Sequence, residues 1–436
     1  MKRIHGVMFL VSLGLCVWAQ SQATTGVIQG FVSDADGKNL PGVTVSLLNT
    51  ATNYNKVVVT DEEGRYRALL MPLGPYKITA LMEGFQPVVR DGLRLSVGQT
   101  LVVDITMEVS TVSEVMVVKA ANPAIQTARS EGSTQIDSNA VSSLPNNGRN
   151  FLDFTLSTPG VTIVQGPDGE ELSINGQKGI NNNVSLDGAD FNNPFFGEQR
   201  GGQRPAFTFN LDAVEEIVVV SEGASAEYGR SSGGFVNVIT KSGTNQHKGS
   251  SHIFHRNDGL NSRAENPDGT QAEKYDFEQN QLGFTFGGPL KKDKIFYFIT
   301  LDYQDGDSTK QTDPTRIEQR VVDVLASLGS PDENGPITRS DNAWAFSLKT
   351  DFNLNNSNQL TLRFNATDSE QENGTFDVDS WGVSANADEL DDSYAFTGAL
   401  NTVFGDSIYN ELRVQYAREE RPREYHGPNI AGTNRP

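Results

Sequence analysis

The sequence predicts a mainly β protein, and three observations support that fold class. Segments that alternate apolar and polar residues recur along the chain, as is typical of half-buried strands. Val, Thr, Phe and Tyr, which favour strands, dominate these segments. The 436 residues include 42 glycines, with a hydrophobic content of 36 %, which argues against a helical bundle. A chain of this length usually forms roughly two to four domains.

The charge balance excludes one class of ligand. The formal net charge is −20, whereas a surface that binds nucleic acid is basic because it neutralises phosphates. We therefore expect no nucleic-acid partner. Acidic surfaces are usually solvated, so the charge by itself assigns no other ligand.

Residues 1–23 have the organisation of a secretory signal peptide. Lys2 and Arg3 precede an apolar stretch at 7–18, and small residues follow. The apolar stretch is too short to span a bilayer. Cys16, the single cysteine, lies inside this segment. The mature chain is therefore expected to be exported without disulfides and to be held together by its core or by a membrane.

Residues 26–110 predict a small β-sandwich. Asp36-Gly37 and Pro41-Gly42 turns separate strand-like segments, and the same device repeats over residues 61–85. About seven strands at this spacing suggest a sandwich. Residues 61–64 lack the alternating carboxylates of a calcium-binding loop, so a tight turn is the favoured interpretation.

The same zone carries a set of glycines, carboxylates and apolar residues in a defined order: Gly30, Asp34, Gly37, Leu40, Pro41, Gly42, Val43, Asp61, Gly64, Tyr66, Tyr76, Gly84 and Phe85. This set resembles the carboxypeptidase regulatory-like domain, a transthyretin-like sandwich of the carbohydrate-binding-like fold group. The resemblance implies an accessory domain without catalytic residues, and a sugar site does not follow from the fold name. We expect residues 26–110 to fold alone and to bury Tyr66 and Tyr76 in one core.

Residues 121–243 contain glycine clusters that do not form a phosphate loop. In SAEYGRSSGGFVNVITKSG, residues 225–243, no Lys directly follows Gly229, Gly233 or Gly234, and the next run predicts a strand instead of a helix. We expect these glycines to allow positive φ and close backbone approach where strands turn.

Four motifs follow one another in this zone: Ile174-Asn175-Gly176, Leu186-Asp187-Gly188, residues 214–220 and residues 226–240. Their order resembles the plug domain of TonB-dependent outer-membrane receptors, which implies an α+β domain inside a barrel. Three charged residues, Arg149, Arg230 and Asp187, are expected to serve plug architecture, in ion pairs with wall residues such as Arg363 or Glu411. The motif residues are Arg149, Asn175, Gly176, Asp187, Gly188, Tyr228, Gly229, Arg230, Gly233 and Gly234.

The segment SEVMVVKA, residues 113–120, precedes the plug and admits two interpretations. Its valines fit a last strand of the sandwich. It also resembles the TonB box of these receptors, which adds as a strand to a periplasmic partner through its main chain. On that interpretation residues 111–120 are the box and linker. The partner-binding residues are then Glu114, Val115, Met116, Val117, Val118 and Lys119.

Residues 244–436 show the pattern of an antiparallel outer-membrane β-barrel. Apolar and polar residues alternate in AWAFSLKTDFNL, QLTLRFNATD and IYNELRVQYA. A soluble sandwich would alternate in the same way, but long polar loops here alternate with tight turns, which favours the barrel. The predicted strands lie near residues 248–256, 277–288, 294–304, 342–354, 359–367, 392–404 and 407–417.

These strands are too few to close a barrel around a plug, which needs about 22 strands. An open edge in lipid would leave backbone groups unpaired. We therefore expect the chain to be the N-terminal part of a larger protein, with an incomplete barrel. The segment NQLGFTFGGPLKKDKIFYF, from Asn280, resembles the Oar-like branch of the receptors, in which a regulatory-like sandwich precedes the plug.

The sequence supports no catalytic, cofactor or metal site. The HIFH spacing places His252 and His255 on opposite faces of a strand, so they cannot share a zinc ion. Ser225 in GASAE lacks the second glycine of a nucleophile elbow. An enzymatic function, suggested by the association of the regulatory-like domain with carboxypeptidases, has no motif to support it.

The resemblance implies an active transporter or receptor of the cell outer membrane, with the N-terminal domain and plug on the periplasmic side. It would import or export an unidentified extracellular substrate, either a carbohydrate, a peptide or a metal chelate. A TonB-type periplasmic energy-coupling protein and outer-membrane lipid are the other expected partners, and loops near residues 305–341 and 368–391 would lie outside the cell. The alternative is a non-transporting binding or adhesion module with a carbohydrate-binding-like sandwich.

Overall fold

The computed structural model of the chain is mainly β, as predicted, with three successive bodies of strands. It describes residues 24–110, 116–119, 131–146, 148–166, 169–193, 197, 209–224, 228–263, 265–310, 315, 317–330, 332–374, 382–405 and 408–425. The predicted signal peptide lies outside these ranges, as do Glu114, Val115 and Ser225. No helix in the described ranges has the length and apolar content needed to cross a bilayer.

The first body is a sandwich of two sheets. Its strands are β1 (Gly26–Asp34), β2 (Thr44–Asn49), β3 (Asn55–Val59), β4 (Arg65–Met71), β5 (Gly74–Leu81), β6 (Val88–Leu95), β7 (Thr100–Val102), β8 (Ile105–Met107) and β9 (Met116–Lys119). One sheet has the order β4-β1-β7, with β8 also paired to β1, and the other has the order β3-β2-β5-β6-β9.

Alternating side chains of both sheets form the sandwich core. Tyr66 and Tyr76 are each 1 % exposed, as predicted. Their hydroxyls donate to the carbonyls of Val103 and Pro72, both at 2.7 Å, so the polar end of each buried ring has a partner. The predicted tight turn at 61–64 is present and is closed by the Gly64 N–H, which donates to the Asp61 carbonyl at 2.9 Å.

β9 contains most of the segment predicted as a TonB box. It pairs in parallel with β6, in a register that sets Met116 opposite Val88 and Lys119 opposite Asp91. The backbone is therefore bonded along one edge instead of free. An extended segment next to an open sheet edge gains main-chain hydrogen bonds by adding to it. In this structure the backbone of β9 is the last strand of the sandwich sheet, which is the other of the two interpretations given for this segment.

The second body is an α+β domain. Its elements are β10 (Gly132–Asp137), α1 (Ser138–Ser143), β11 (Val161–Gly166), β12 (Gly169–Ile174), β13 (Asn183–Leu186), β14 (Ala189–Asp190), β15 (Val214–Glu222) and β16 (Phe235–Thr240), with 3-10 helices at Phe151–Ser157, Gly179–Asn181 and Leu211–Ala213. The main sheet has the order β10-β15-β16-β13-β14, and β11 and β12 form a hairpin. Asp137 caps α1, because its carboxylate accepts the Ala140 N–H at 2.8 Å.

The third body is a curved antiparallel sheet, the barrel wall. Its strands are β17 (Lys248–Asn257), β18 (Phe277–Lys291), β19 (Ile295–Lys310), β20 (Ile337–Asn355), β21 (Asn358–Glu372), β22 (Ala387–Phe404), β23 (Ile408–Glu420) and β24 (Arg423–Tyr425). β17 to β23 pair in sequence order, and β24 pairs with β22. The sheet stays open within the described residues. Leu412 and Val414 are exposed on the outer side, and Lys349 and Arg363 are buried on the inner side.

The wall strands are longer than the alternation predicted, which shortens the two predicted outer loops. β19 continues to Lys310 and β20 starts at Ile337, so strand structure occupies both ends of the predicted loop 305–341. Main-chain pairing does not require apolar side chains, so polar segments can extend the strands beyond the bilayer. The same region contains α2 (Gln319–Ser327), which the sequence analysis missed.

Candidate functional site at the contact between the second body and the barrel wall

The Asp187-Gly188 pair makes the turn between β13 and β14. Asp187 has φ +50° and Gly188 has φ +71°, which is the left-handed pair of a type I′ hairpin that Asp-Gly sequences favour. β16 holds this turn, because Thr240 donates its N–H (2.9 Å) and its hydroxyl (2.6 Å) to the Asp187 carboxylate. The local sequence thus fixes the position of one carboxylate.

Two cations of the wall meet this carboxylate. Lys349 Nζ on β20 lies 3.3 Å from Asp187 Oδ1, and Arg363 Nη1 on β21 lies 2.8 Å from Asp187 Oδ2. Burial alone would raise the pKa of Asp187, but the two cations and the Thr240 hydrogen bonds outweigh it and lower the pKa to about 2. The contact with Arg363 is the one expected from the sequence.

Asp212 forms a second charged contact with the wall. Its carboxylate accepts from Arg149 Nη2 at 2.6 Å and from Ser250 Oγ at 3.1 Å, and it lies 3.1 Å from His252 Nδ1. The hydrogen bond with His252, joined by that with Arg149, holds the pKa of Asp212 well below its usual range despite partial burial. Ser250 and His252 both belong to β17, so Asp212 binds one wall strand.

His252 connects this contact to β19, which lies two strands away from β17 in the sheet. Its Nε2 lies 3.4 Å from Oδ2 of Asp302 on β19. Asp302 is fully buried, and its Oδ1 accepts from Gln281 Nε2 at 3.1 Å. Both ring nitrogens of His252 therefore face carboxylate oxygens, a geometry in which an imidazolium can donate to each. His255 lies on the exposed side of the same strand and contacts Asn280.

Arg149 and Arg230 have partners other than the expected ones. Arg149 pairs with Asp212 of its own domain and lies over the Phe254 ring of the wall at 4.6 Å. Arg230 pairs with Asp190, also of its own domain. The expectation that both arginines form ion pairs with wall residues is wrong.

A third group of contacts joins β14 to β23. Arg413 Nη1 donates to the Gly188 carbonyl at 2.6 Å, and Gln415 Nε2 donates to the Asp190 carbonyl at 2.9 Å. Asn193 Nδ2 donates to Glu419 at 3.0 Å. Glu411 pairs with Arg413 of its own strand. All three groups are polar.

The remaining motif residues shape the backbone. Asn175 and Gly176, with φ +53° and +77°, form a second left-handed turn, and Asn175 Nδ2 donates to the Ser221 carbonyl at 2.7 Å. A Cβ at Gly234 would lie 2.7 Å from an Ile174 methyl carbon, so only glycine fits there. The other three motif residues make local contacts. The Gly229 carbonyl accepts a hydrogen bond from Asn183 at 2.7 Å, and the Gly233 N–H donates to Ser231 Oγ at 3.2 Å. The Tyr228 ring packs on Phe235, with ring centroids 4.9 Å apart.

The sequence analysis missed three residues of this site: Asp212, His252 as a contact residue, and Asp302. For two of them the period of two indicated the side of the wall but not the partner, because His252 and Asp302 occupy inward positions of wall strands. Across the part of the chain that the structure describes, no group of three His, Cys, Asp or Glu side chains could hold a metal ion. The arrangement binds one domain to another through charges and hydrogen bonds.

Three comparisons with known families cover the three bodies in order. Residues 27–108 match the carboxypeptidase regulatory-like domain, residues 126–236 match the TonB-dependent receptor plug domain, and residues 239–324 match an outer membrane beta barrel domain. The chain therefore contains a plug domain and barrel strands of the kind found in TonB-dependent outer-membrane receptors, preceded by a regulatory-like domain. This family consists of transporters and not of enzymes. The chain lies in the cell outer membrane, with the N-terminal domain and plug on the periplasmic side.

Within this family the chain is similar to the TonB-dependent transporter Oar of Myxococcus xanthus. The two are 28 % identical over 310 residues, which cover 66 % of this chain and 28 % of the relative. The chain therefore spans less than a third of that relative.

Solved structures of similar fold include the outer membrane transporter YddB from Escherichia coli, with 15 % identity and a TM-score of 0.49 over 66 % of this chain and 38 % of that one. The siderophore receptor PirA from Acinetobacter baumannii has 20 % identity and a TM-score of 0.46 over 71 % and 44 %. The chain thus spans less than half of either structure.

Proposed function

We propose that this chain is the N-terminal part of an active outer-membrane transporter of the Oar-like type. It would import or export a carbohydrate, a peptide or a metal chelate, bound on the extracellular side between the plug and the barrel loops. A TonB-type periplasmic protein would supply the energy. We propose no catalytic step and no cofactor.

The polar character of the plug–wall contact is the observation that carries this proposal. One set of apolar side chains of the plug, including Ile217 and Val236, packs inside the plug itself and not against the wall. The plug meets the wall through Asp187, Asp212 and the amides and carbonyls near β14. Water can replace each such contact, whereas an apolar interface would lose its burial energy when opened. A plug held in this way is suited to movement.

The segment of Glu114, Val115, Met116, Val117, Val118 and Lys119 is the proposed TonB box. Glu114 and Val115 lie outside the described residues. β9, which holds the other four, is the last strand of its sheet. In a strand the main-chain groups point alternately to either side, so β6 uses one edge of β9 and the other edge is available for a strand of the partner.

The test compares the spent medium of cells that carry the receptor, cells that lack it and complemented cells, with and without a proton uncoupler. We expect at least one small molecule or peptide to be depleted, or released, by the receptor in the energised cells alone. Proteolysis of intact cells distinguishes the adhesion alternative, because an adhesin would lose residues 26–110 to an external protease. A medium that is identical in all cells, with loss of that domain, would refute transport.

A further inference from the structure

The plug sheet has a second apolar face, and residues of the sandwich pack against it together with Tyr228 of the plug. Along β15, Ile217 and Val219 point into the plug core, whereas Val218 and Val220 point to the opposite side and are buried with Phe235. Apolar residues on both faces require a cover on both faces. The sandwich supplies the second cover, because Val97 lies in this cluster, 2 % exposed, with Leu73 packed against it.

Hydrogen bonds from the plug hold the backbone of Val97 on both sides. Glu216, buried on β15, accepts the Val97 N–H at 3.0 Å. Gln135 Nε2 on β10 donates to the Val97 carbonyl at 3.1 Å. Arg94 at the end of β6 forms an ion pair with Glu215. The contact therefore combines a buried apolar residue, a buried carboxylate and a charge pair.

The loop that carries Val97 is ordered by its own contacts. Residues 96–99 connect β6 to β7, and the Ser96 N–H donates to Gln99 Oε1 at 2.9 Å. Gln99 is itself buried. A loop fixed in this way loses little conformational freedom on docking, so it is suited to bind the plug as a preformed surface.

A cavity of about 570 Å³ lies beside this contact, between the sandwich, the plug and the wall. Its lining includes Arg94 and Glu215 from the docking contact, and Asp187, Lys349 and Arg363 from the charged plug–wall contact. The sandwich also contacts the wall directly, because the Tyr54 hydroxyl donates a hydrogen bond to the Asn356 carbonyl at 3.2 Å. The sandwich therefore borders the same cavity as the plug and the wall.

We propose that the sandwich is a periplasmic cap of the plug. Residues 96–99 dock on the second face of the plug sheet, hold the plug in its closed position, and must undock before the plug rearranges. This inference rests on the proposed function in one respect, because it takes rearrangement of the plug as a step of transport. Its test uses the opening of the barrel to ions.

The receptor is purified from outer membranes and inserted into a planar lipid bilayer in KCl. Urea is then raised until conductance appears. Val97→Asp places a charge next to Glu216 in the apolar cluster, and we expect the urea midpoint for opening to fall by about 1 M. The matched control is Val102→Asp on β7 of the same domain, where Val102 is exposed and the midpoint should not change. Equal midpoints for both variants and the wild type would overturn the cap.

A second set of variants tests the same contact without a new charge in the core. Arg94→Glu and Glu215→Arg should each lower the midpoint, and the double variant should restore it. Cysteines at both positions, in a receptor with other cysteines replaced by Ser, allow a cleavable bismaleimide bridge. The bridge should raise the midpoint, and its cleavage should reverse the change. An unaltered midpoint in the bridged receptor would refute the requirement for undocking, whereas absent transport with the expected midpoints would count against the proposed function alone.

Discussion

Replacing Asp187 by Asn tests whether the charged turn of the plug holds it against the wall. Asn tolerates the left-handed conformation of this position and has nearly the same shape, so the turn should persist. The change removes the negative charge between Lys349 and Arg363, whose side chains are 10 % and 4 % exposed. Both cations then remain in a poorly hydrated site without their carboxylate.

The magnitude follows from the pKa of Asp187, which falls from its ordinary 3.8 to about 2. A tenfold change in proton affinity corresponds to about 1.4 kcal/mol, so the ionised carboxylate contributes about 2 kcal/mol at neutral pH. Breaking a buried pair costs about 3–5 kcal/mol, because the partner charge stays buried. We therefore expect Asp187→Asn to destabilise the plug by about 2–5 kcal/mol.

Amide hydrogen exchange in the purified receptor measures this loss. Exchange of residues 183–190 and 235–240 should accelerate by about 30-fold or more, since about 1.4 kcal/mol corresponds to a factor of ten. The matched control is Asp190→Asn in the same hairpin, because the Asp190–Arg230 pair has side chains 35 % and 32 % exposed and should contribute less than about 1 kcal/mol. Equal acceleration in the two variants, or none in Asp187→Asn, would refute the buried-charge argument.

Three further predictions concern pH, the TonB box and the sandwich. Because the pKa of Asp187 is lowered in the folded protein, its carboxylate stabilises the plug above pH 3.8, and this stabilisation is lost as the pH falls towards about 2. The difference in amide exchange between wild type and Asp187→Asn should therefore vanish over that range. A difference that stays constant would contradict this prediction. Val117→Pro deletes a main-chain donor, so photo-crosslinking of residue 115 to the TonB-type partner should fall, and an unchanged yield would place the contact elsewhere. Residues 26–110 should fold alone, and Tyr66→Phe should lower their unfolding free energy by about 1 kcal/mol in thermal melts. A disordered NMR spectrum of the wild-type segment would show that the sandwich needs its neighbours.

The period of two was sufficient to place the wall strands and to orient their side chains. The polar positions of this alternation include Lys349 and Arg363, and both side chains are buried on the inner side of the wall. Strand ends were less predictable, because β19 continues through polar residues to Lys310, where main-chain bonds persist without an apolar pattern. The Asp-Gly turn at Asp187 was predictable for a local reason, since that dipeptide favours left-handed φ.

Contacts between distant segments could not be predicted from alternation within strands or from local turn sequences. Asp212, His252 and Asp302 come from three separate elements, and no local pattern relates their positions. The parallel pairing of β9 with β6 has the same cause, because a parallel register depends on how a connection crosses the sheet. Val97 lies in a loop between two strands, and its burial depends on a plug that begins beyond β9.

The polar character of the contact between the plug and the wall also determines how the plug would separate from the wall. A packed apolar interface opens as one unit, because removing any part of it leaves a void beside the rest. Among the described residues, no apolar cluster joins the contacts at Asp187, at Asp212 and along β14, and water can satisfy each one as it opens. Release from the wall is therefore expected to be sequential, with partly detached plugs as true intermediates, and the load required at any moment is that of one wall contact and not of their sum.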